Sequence, residues 1–253
     1  MLYLVGIGLG DDDMPLAALD VCRRSDVYID TYTSIVDEKR LAHIAGLVGK
    51  TPKTLARHDL EEGAGALLEK ARDSDVAVLV GGDPLTATTH KTLFIDAKRI
   101  GMRVKVIHAA SILSAIIGES GLDFYRFGAL CTISRWSEHY RPVSFYETIG
   151  RNHSNNMHSV VLLDYDADSN SSMDIAEAVG ILEKAEEHYK RGIISGNTKI
   201  IVLHNIARDG QAIAVMSVAA AGKLKFNNGV TSLVVPAALT DIERESMEGM
   251  YGD

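Results

Sequence analysis

Apolar runs alternate with amphipathic stretches along the first 110 residues of this 253-residue chain. Residues 2–7 and 75–80 are almost continuously apolar, above all Leu2-Tyr3-Leu4-Val5 and Val76-Ala77-Val78-Leu79-Val80, the pattern of strands covered on both faces. Segments 26–30 and 103–107 complete a set of predicted strands. Between these segments the apolar spacing predicts helices over 15–24, 37–48, 62–72 and 88–100, the first with Pro15 in its opening turn. Strands alternating with helices of this length require crossover connections, and hence a mainly parallel sheet.

From about residue 111 the rhythm changes. Residues 111–118 read as a helix, 129–134, 158–163, 199–204 and 230–235 as strands, and 173–190 as a long amphipathic helix. The expectation is therefore an α/β protein of two α/β domains, 1–110 and 111–253, with a parallel N-terminal sheet and a mixed C-terminal sheet. They join near His108-Ala109-Ala110-Ser111-Ile112, with no Pro/Ser-rich linker and no internal repeat. The polar segment Asp164–Ser172 reads as an exposed loop. The glycine that an EF-hand places after its acids is missing, so a solvated loop outweighs calcium binding.

Apolar residues make up 46% and charged residues 24%, as in soluble globular proteins. With 26 Lys and Arg against 34 Asp and Glu, the formal charge of −8 argues against a nucleic-acid-coating protein but is compatible with a protein partner. Cys22 and Cys131 lie far apart and read as buried free thiols, so a reducing cytoplasm is the default compartment. The start Met-Leu-Tyr-Leu-Val-Gly has no basic region and runs straight into a strand, unlike a signal peptide. No apolar run approaches the roughly 20 residues needed to span a bilayer. The expectation is a cytoplasmic chain bound to neither membrane nor nucleic acid.

Two strand ends carry the candidate chemistry: Gly6-Ile7-Gly8-Leu9-Gly10, and Gly81-Gly82-Asp83-Pro84-Leu85-Thr86-Ala87-Thr88-Thr89-His90. Glycines there let another molecule approach bare backbone, Pro84 keeps Asp83 out of helical geometry, and open α/β sheets place ligand loops at such ends. A dinucleotide fingerprint would add a glycine at position 11, where the chain has Asp11 followed by Asp12 and Asp13. Carboxylates there would repel a pyrophosphate, although Asp30 lies where a ribose-binding acid is expected. Gly49-Lys50-Thr51 resembles the end of a P-loop, but its leading glycine would fall on Ile44. There is no G-x-S-x-G elbow and no His or Cys spacing suited to zinc, so no metal is expected. His90 and His108 each adjoin a candidate ligand loop, which adds weight to a functional role. A glycine turn with one carboxylate suits methyl transfer from S-adenosylmethionine, whose sulfonium already activates the methyl. Asp83 would then bind a ribose hydroxyl or the cofactor ammonium. On residue chemistry alone this is one option among several.

A resemblance narrows the choice. Leu2–Gly10, Tyr32-Thr33-Ser34, Gly82-Asp83-Pro84-Leu85 with Ala87-Thr88-Thr89-His90, and Ile107-His108-Ala109-Ala110-Ser111-Ile112 carry it. Gly121-Leu122, Tyr125, Phe127-Gly128, Pro142 with Ser144-Phe145-Tyr146, Met157-His158, Leu162-Leu163-Asp164 and Ala207-Arg208 extend it. With these segments the chain resembles the tetrapyrrole-methylase-like class of S-adenosylmethionine-dependent methyltransferases, and within it the diphthine synthase family. The glycine strand end and the Gly-Asp-Pro loop are shared by the wider class. Ala-Thr-Thr-His, Tyr-Thr-Ser and His-x-Ala-Ser-Ile point more narrowly.

The resemblance implies two α/β domains with the cofactor in the cleft between them, in a homodimer. It implies methylation of the amino group of a 3-amino-3-carboxypropyl histidine on translation elongation factor 2, a step of diphthamide biosynthesis that yields S-adenosylhomocysteine as by-product. Three methyls give diphthine; eukaryotic relatives add a fourth as an ester. Cofactor contacts carry over to Leu9, Asp83, Thr86, Ser111, Ile112, Leu163, Asp209 and Thr231. Asp209 stands where relatives carry an apolar residue and Thr231 where they often carry histidine, so a backbone contact would survive there and a side-chain contact would not. Thr86 also stands at a variable position. The expected mechanism is direct in-line transfer to the deprotonated amine, with no residue assigned as base; Asp83 and His90 are candidates for assisting roles. A same-class enzyme acting on a tetrapyrrole and a non-catalytic S-adenosylmethionine-binding module are the alternatives. The number of methyls, the dimer surface and the residues that dock the elongation factor are not legible.

Overall fold

A computed structural model describes residues 1–33, 36–61, 63–166, 171–226 and 229–251. It divides into two compact units, one over Met1–Ile112 and the other over Leu113–Asp166 and onward from Ser171.

The N-terminal unit contains strands β1 (Leu2–Gly6), β2 (Asp26–Asp30), β3 (Lys53–Leu55), β4 (Val76–Val80) and β5 (Val104–Ile107). All pair in parallel, in the order β3-β2-β4-β1-β5. Helices α1 (Leu16–Arg24), α2 (Glu38–Val48), α3 (Arg57–Glu61), α4 (Ala64–Asp73) and α5 (Lys91–Arg99) connect them. Alternation along β1 explains why both faces need cover: Tyr3 and Val5 pack with Ala18, Val21, Ile44 and Val48 from α1 and α2. Leu2 and Leu4 pack with Leu67, Leu68, Leu93 and Ala97 from α4 and α5. Pro15 is the N-cap of α1, in extended geometry, one residue before the turn expected to hold it. The α5 helix starts three residues later than the periodicity predicts, with His90 as its N-cap; Ala87, in the loop before it, adopts a positive φ of 53°.

The second unit contains all but the first residue of α6 (Ile112–Glu119), a 3-10 turn at Phe124–Arg126, β6 (Cys131–Ile133), α7 (Ser144–Ser154) and β7 (Ser159–Leu163). A short ribbon of β8 (Tyr165–Asp166) and β9 (Ser171–Ser172) follows, then α8 (Ile175–Tyr189), β10 (Lys199–His204) and β11 (Ala212–Ser217). The chain ends with α9 (Val218–Ala221), β12 (Thr231–Val235) and α10 (Asp241–Tyr251). The main sheet has the order β11-β10-β12-β7-β6 and is mixed: β6 runs parallel to β7 and the other pairs are antiparallel. Phe145, Tyr146 and Ile149 of α7 and Ile175, Ala178 and Leu182 of α8 form its core with Val161, Ile200, Val202 and Leu233. Where the sequence reads as a plain loop from Asp164 to Ser172, the chain forms the β8–β9 ribbon; Asp168, between its strands, lies outside the described residues.

Candidate functional site

The order β4-β1-β5 makes neighbours of the loops that follow these strands, at the carboxyl edge where open α/β sheets hold ligands. Gly8 and Gly82 form an isolated antiparallel bridge between the first two loops. The Gly82 amide donates to the Gly8 carbonyl at 2.9 Å, and the Gly8 amide to the Gly82 carbonyl at 3.3 Å. A Cβ on Gly6 would stand 2.6 Å from the Gly82 carbonyl oxygen and 2.8 Å from the Ala109 Cβ, so glycine is required for this approach. At Gly82, by contrast, a Cβ would meet nothing nearer than the Ala110 carbonyl oxygen at 3.7 Å and Leu9 Cδ2 at 3.8 Å. The bare backbone of Gly82 thus lies at ordinary contact distance from Leu9 and the Ala110 carbonyl, with no close clash.

The three acids after Gly10 do not line up on a helix start. Asp13 folds back and accepts from the Gly10 amide at 2.8 Å and the Leu9 amide at 3.1 Å. Asp12 pairs with His43 at 2.9 Å and Asp11 with Lys39 at 3.9 Å. Amides that a phosphate would seek are therefore filled by the chain's own carboxylate, against a dinucleotide. Beneath the turn, the buried Arg40 guanidinium donates to the Gly8 carbonyl at 2.9 Å and the Gly10 carbonyl at 3.2 Å. Sequence reading missed Arg40, although it shares one helical face with the buried Ile44 and Val48 at a spacing of four.

Asp83 is buried at the end of β4. One carboxylate oxygen accepts from the Leu85 amide at 3.0 Å and the Thr86 hydroxyl at 3.1 Å; the other meets His108 Nδ1 at 2.7 Å. Burial alone would raise this carboxyl, but the hydrogen bonds from Leu85, His108 and Thr86 outweigh it and hold the pKa below the ordinary aspartate value. His108 itself is open to solvent. Ser111 and Ile112 follow on the same loop, half-buried, at the start of α6.

His90 serves a second, fully buried pair. Its Nε2 lies 3.6 Å from an Asp30 carboxylate oxygen, and its Nδ1 meets the Thr88 hydroxyl. Burial lowers the His90 pKa against the opposing pull of Asp30, so the imidazole is neutral at physiological pH. Asp30 accepts from the Tyr32 amide at 2.7 Å and from both the amide and the hydroxyl of Thr33. It orders the turn after β2 and is not a free ribose ligand. Ser34 of the Tyr-Thr-Ser segment lies outside the described residues.

In the second unit the expected contacts gather at one end of the sheet. Leu163 ends β7, Thr231 begins β12, and Asp209 lies in the hairpin between β10 and β11. Thr231 is buried opposite His204, and its hydroxyl meets His204 Nδ1 at 2.9 Å. That hydroxyl is already engaged. Asp209 is exposed, and its carbonyl accepts from the Asn205 side chain at 3.4 Å.

Sequence reading also missed a buried cluster that ties α10 to the unit. His158 Nε2 donates to Glu243 at 2.8 Å, while its Nδ1 accepts from the Ala237 amide at 3.0 Å, which fixes the tautomer. Glu243 further accepts from Arg126, the Thr240 amide and hydroxyl, and the Asp123 amide. Burial opposes ionisation of Glu243, but these donors outweigh it and pull the pKa down to about 2. This is an anchor within the fold. A cavity of about 370 Å³ beside Arg151, His153 and Arg191 is lined by α7 and the loop after α8 and by none of the residues singled out above. Both cysteines are free and buried; burial lifts Cys22 to about 11 and Cys131 to about 12, which excludes a thiolate nucleophile. Among the described residues no cluster of three metal-ligating side chains occurs, and no helix is long and apolar enough to cross a membrane.

Residues 1–222 match the family described as tetrapyrrole (corrin/porphyrin) methylases. A diphthine synthase of Methanothermobacter thermautotrophicus is 38% identical, covering 100% of this chain and 96% of that protein. A diphthine methyl ester synthase of Mus musculus is 34% identical, covering 93% of this chain and 90% of that protein. A crystal structure of diphthine synthase superposes with a TM-score of 0.87 at 29% identity, over 99% of this chain and 95% of that one. The chain belongs to the tetrapyrrole methylase family, in its diphthine synthase branch, and is an S-adenosylmethionine-dependent methyltransferase. The N-terminal loops fit such a group: bare backbone at Gly82 and the apolar Leu9 side chain can receive it, and the cofactor needs no phosphate seat.

Proposed function

We propose that this protein methylates the amino group of a 3-amino-3-carboxypropyl histidine on translation elongation factor 2, three times, to give diphthine. End-to-end similarity to diphthine synthases is the observation that carries this reading. S-adenosylmethionine supplies an electrophilic methyl on a sulfonium; the chain binds, orients and excludes water. Leu9, Asp83, Thr86, Ser111 and Ile112 of the first unit and Leu163, Asp209 and Thr231 of the second are its proposed contacts. The carboxylate of Asp83 favours a cationic ligand, and the engaged hydroxyl of Thr231 favours contact through its backbone. The protein acts as a cytoplasmic homodimer, which light scattering tests.

Intact-mass analysis of elongation factor 2 carrying the aminocarboxypropyl group, after incubation with the protein and S-adenosylmethionine, is the decisive experiment. Three added methyls on the modified factor and none on the unmodified one support the reading; a fourth adds ester formation. Cofactor binding without any mass shift overturns the substrate.

A further inference from the structure

An amine held as its ammonium must lose a proton before each methyl transfer, and the proton needs a destination. We infer that His108 takes it, through Nε2, while Asp83 holds the imidazole in place. This rests on the amine-methylating reading above.

The geometry has two parts. Asp83 is buried and His108 exposed, with side-chain accessibilities of 8% and 69%. An ionised carboxylate only accepts hydrogen bonds, so the 2.7 Å contact places a proton on His108 Nδ1, and in the neutral ring Nε2 is then the acceptor. The Leu85 amide and the Thr86 hydroxyl fix the carboxylate in turn. A nucleophile's base oriented by a third, buried group is the arrangement seen in hydrolytic triads, here without a protein nucleophile. His90 cannot take this part, since its ring is buried and faces Asp30.

Position adds a second argument. His108 follows β5, beside the loops of β1 and β4 and three residues before Ser111. Asp83 is the charged group that faces the imidazole; residues 82 and 84–86 of its loop, and 109–112 of the His108 loop, carry no titratable side chain.

The step balances. The ammonium gives one proton to Nε2 and becomes an amine. Its lone pair forms the N–C bond as the S–C bond breaks, with that electron pair left on sulfur as a neutral thioether. The exposed imidazolium then returns its proton to water. Three transfers repeat this, and the trimethylated nitrogen has no proton left to lose. Methylation of the neighbouring carboxylate would need no such acceptor, because that group is already ionised at neutral pH.

Two measurements test the inference. In the unloaded wild-type protein, ¹⁵N NMR of His108 is expected to show Nδ1 protonated and Nε2 bare, and Asp83→Asn to lose that preference. With the modified elongation factor, His108→Gln and His108→Ala are expected to lower kcat for amine methylation on the order of 10²-fold. Affinity for S-adenosylmethionine by calorimetry should stay near wild type, and added imidazole should restore part of the His108→Ala rate. Wild-type turnover in both variants, or a loss confined to cofactor affinity, overturns the role of His108 while leaving the substrate reading intact. A wild-type protein that binds S-adenosylmethionine but transfers nothing to the factor overturns both.

Discussion

Gly8 and Gly82 exchange backbone hydrogen bonds at 2.9 and 3.3 Å, joining the turn after β1 to the turn after β4. Gly6 sits directly under this bridge. Gly6→Ala drives a methyl to within 2.6 Å of the Gly82 carbonyl oxygen. The expected outcome is a loss of roughly 1–3 kcal/mol in urea unfolding, typical of overpacking. Weaker S-adenosylmethionine binding by calorimetry should accompany it.

Asp13 closes the glycine turn by accepting from the Leu9 and Gly10 amides. Asp13→Ala removes both bonds and is expected to cost about 1–3 kcal/mol, since the amides are part-buried. Calorimetry should show a several-fold weaker cofactor affinity, as the Leu9 turn loosens. An unchanged affinity would remove Leu9 from the proposed contacts.

Glu243 links α10 to His158 and Arg126, and its pKa falls from 4.5 to about 2 on folding. A lowered carboxylate pKa contributes stability that is complete above about pH 4.5 and lost as pH falls towards 2. Glu243→Gln is expected to cost roughly 3 kcal/mol at neutral pH, because Arg126 loses its buried partner. It should also flatten the acid limb of a stability–pH curve measured by denaturant titration.

His90 is buried neutral, with its pKa below the ordinary 6.5. The unfolded chain therefore binds the proton first, so stability is complete above about pH 6.5 and falls as pH drops towards the folded value. His158 acts in the same direction, its pKa lowered by burial. His90→Gln should reduce, without abolishing, the pH dependence of the unfolding midpoint between pH 7 and 5. A slope equal to that of wild type would mean that His90 is protonated in the folded protein.

Most strands, and helices α1, α2, α4, α5, α6 and α8, were legible because apolar runs and 3.6-residue spacing report burial directly, as in β1, β4, β7, β10, α2 and α8. The exceptions include β3, β11, α7 and α10. The β3 strand is three residues on a sheet edge, too short to carry a pattern, and β11 is an edge strand that pairs only with β10 among the described residues. The α10 helix buries Glu243 beside Met247, so its core face does not look apolar.

The sequence by itself determined an α/β chain with two glycine-rich strand ends and an aspartate in one of them. Periodicity and residue type are local properties, and they need no partner to be read. Only the tertiary structure decided that β1 lies between β4 and β5, that Asp83 meets His108, that Asp13 fills the turn amides, and that Arg40 lies beneath them. Strand order depends on which apolar faces find one another, and residue spacing does not encode it. A buried charge such as Arg40 persists only where folded backbone supplies its partners, so its role emerges only with the fold.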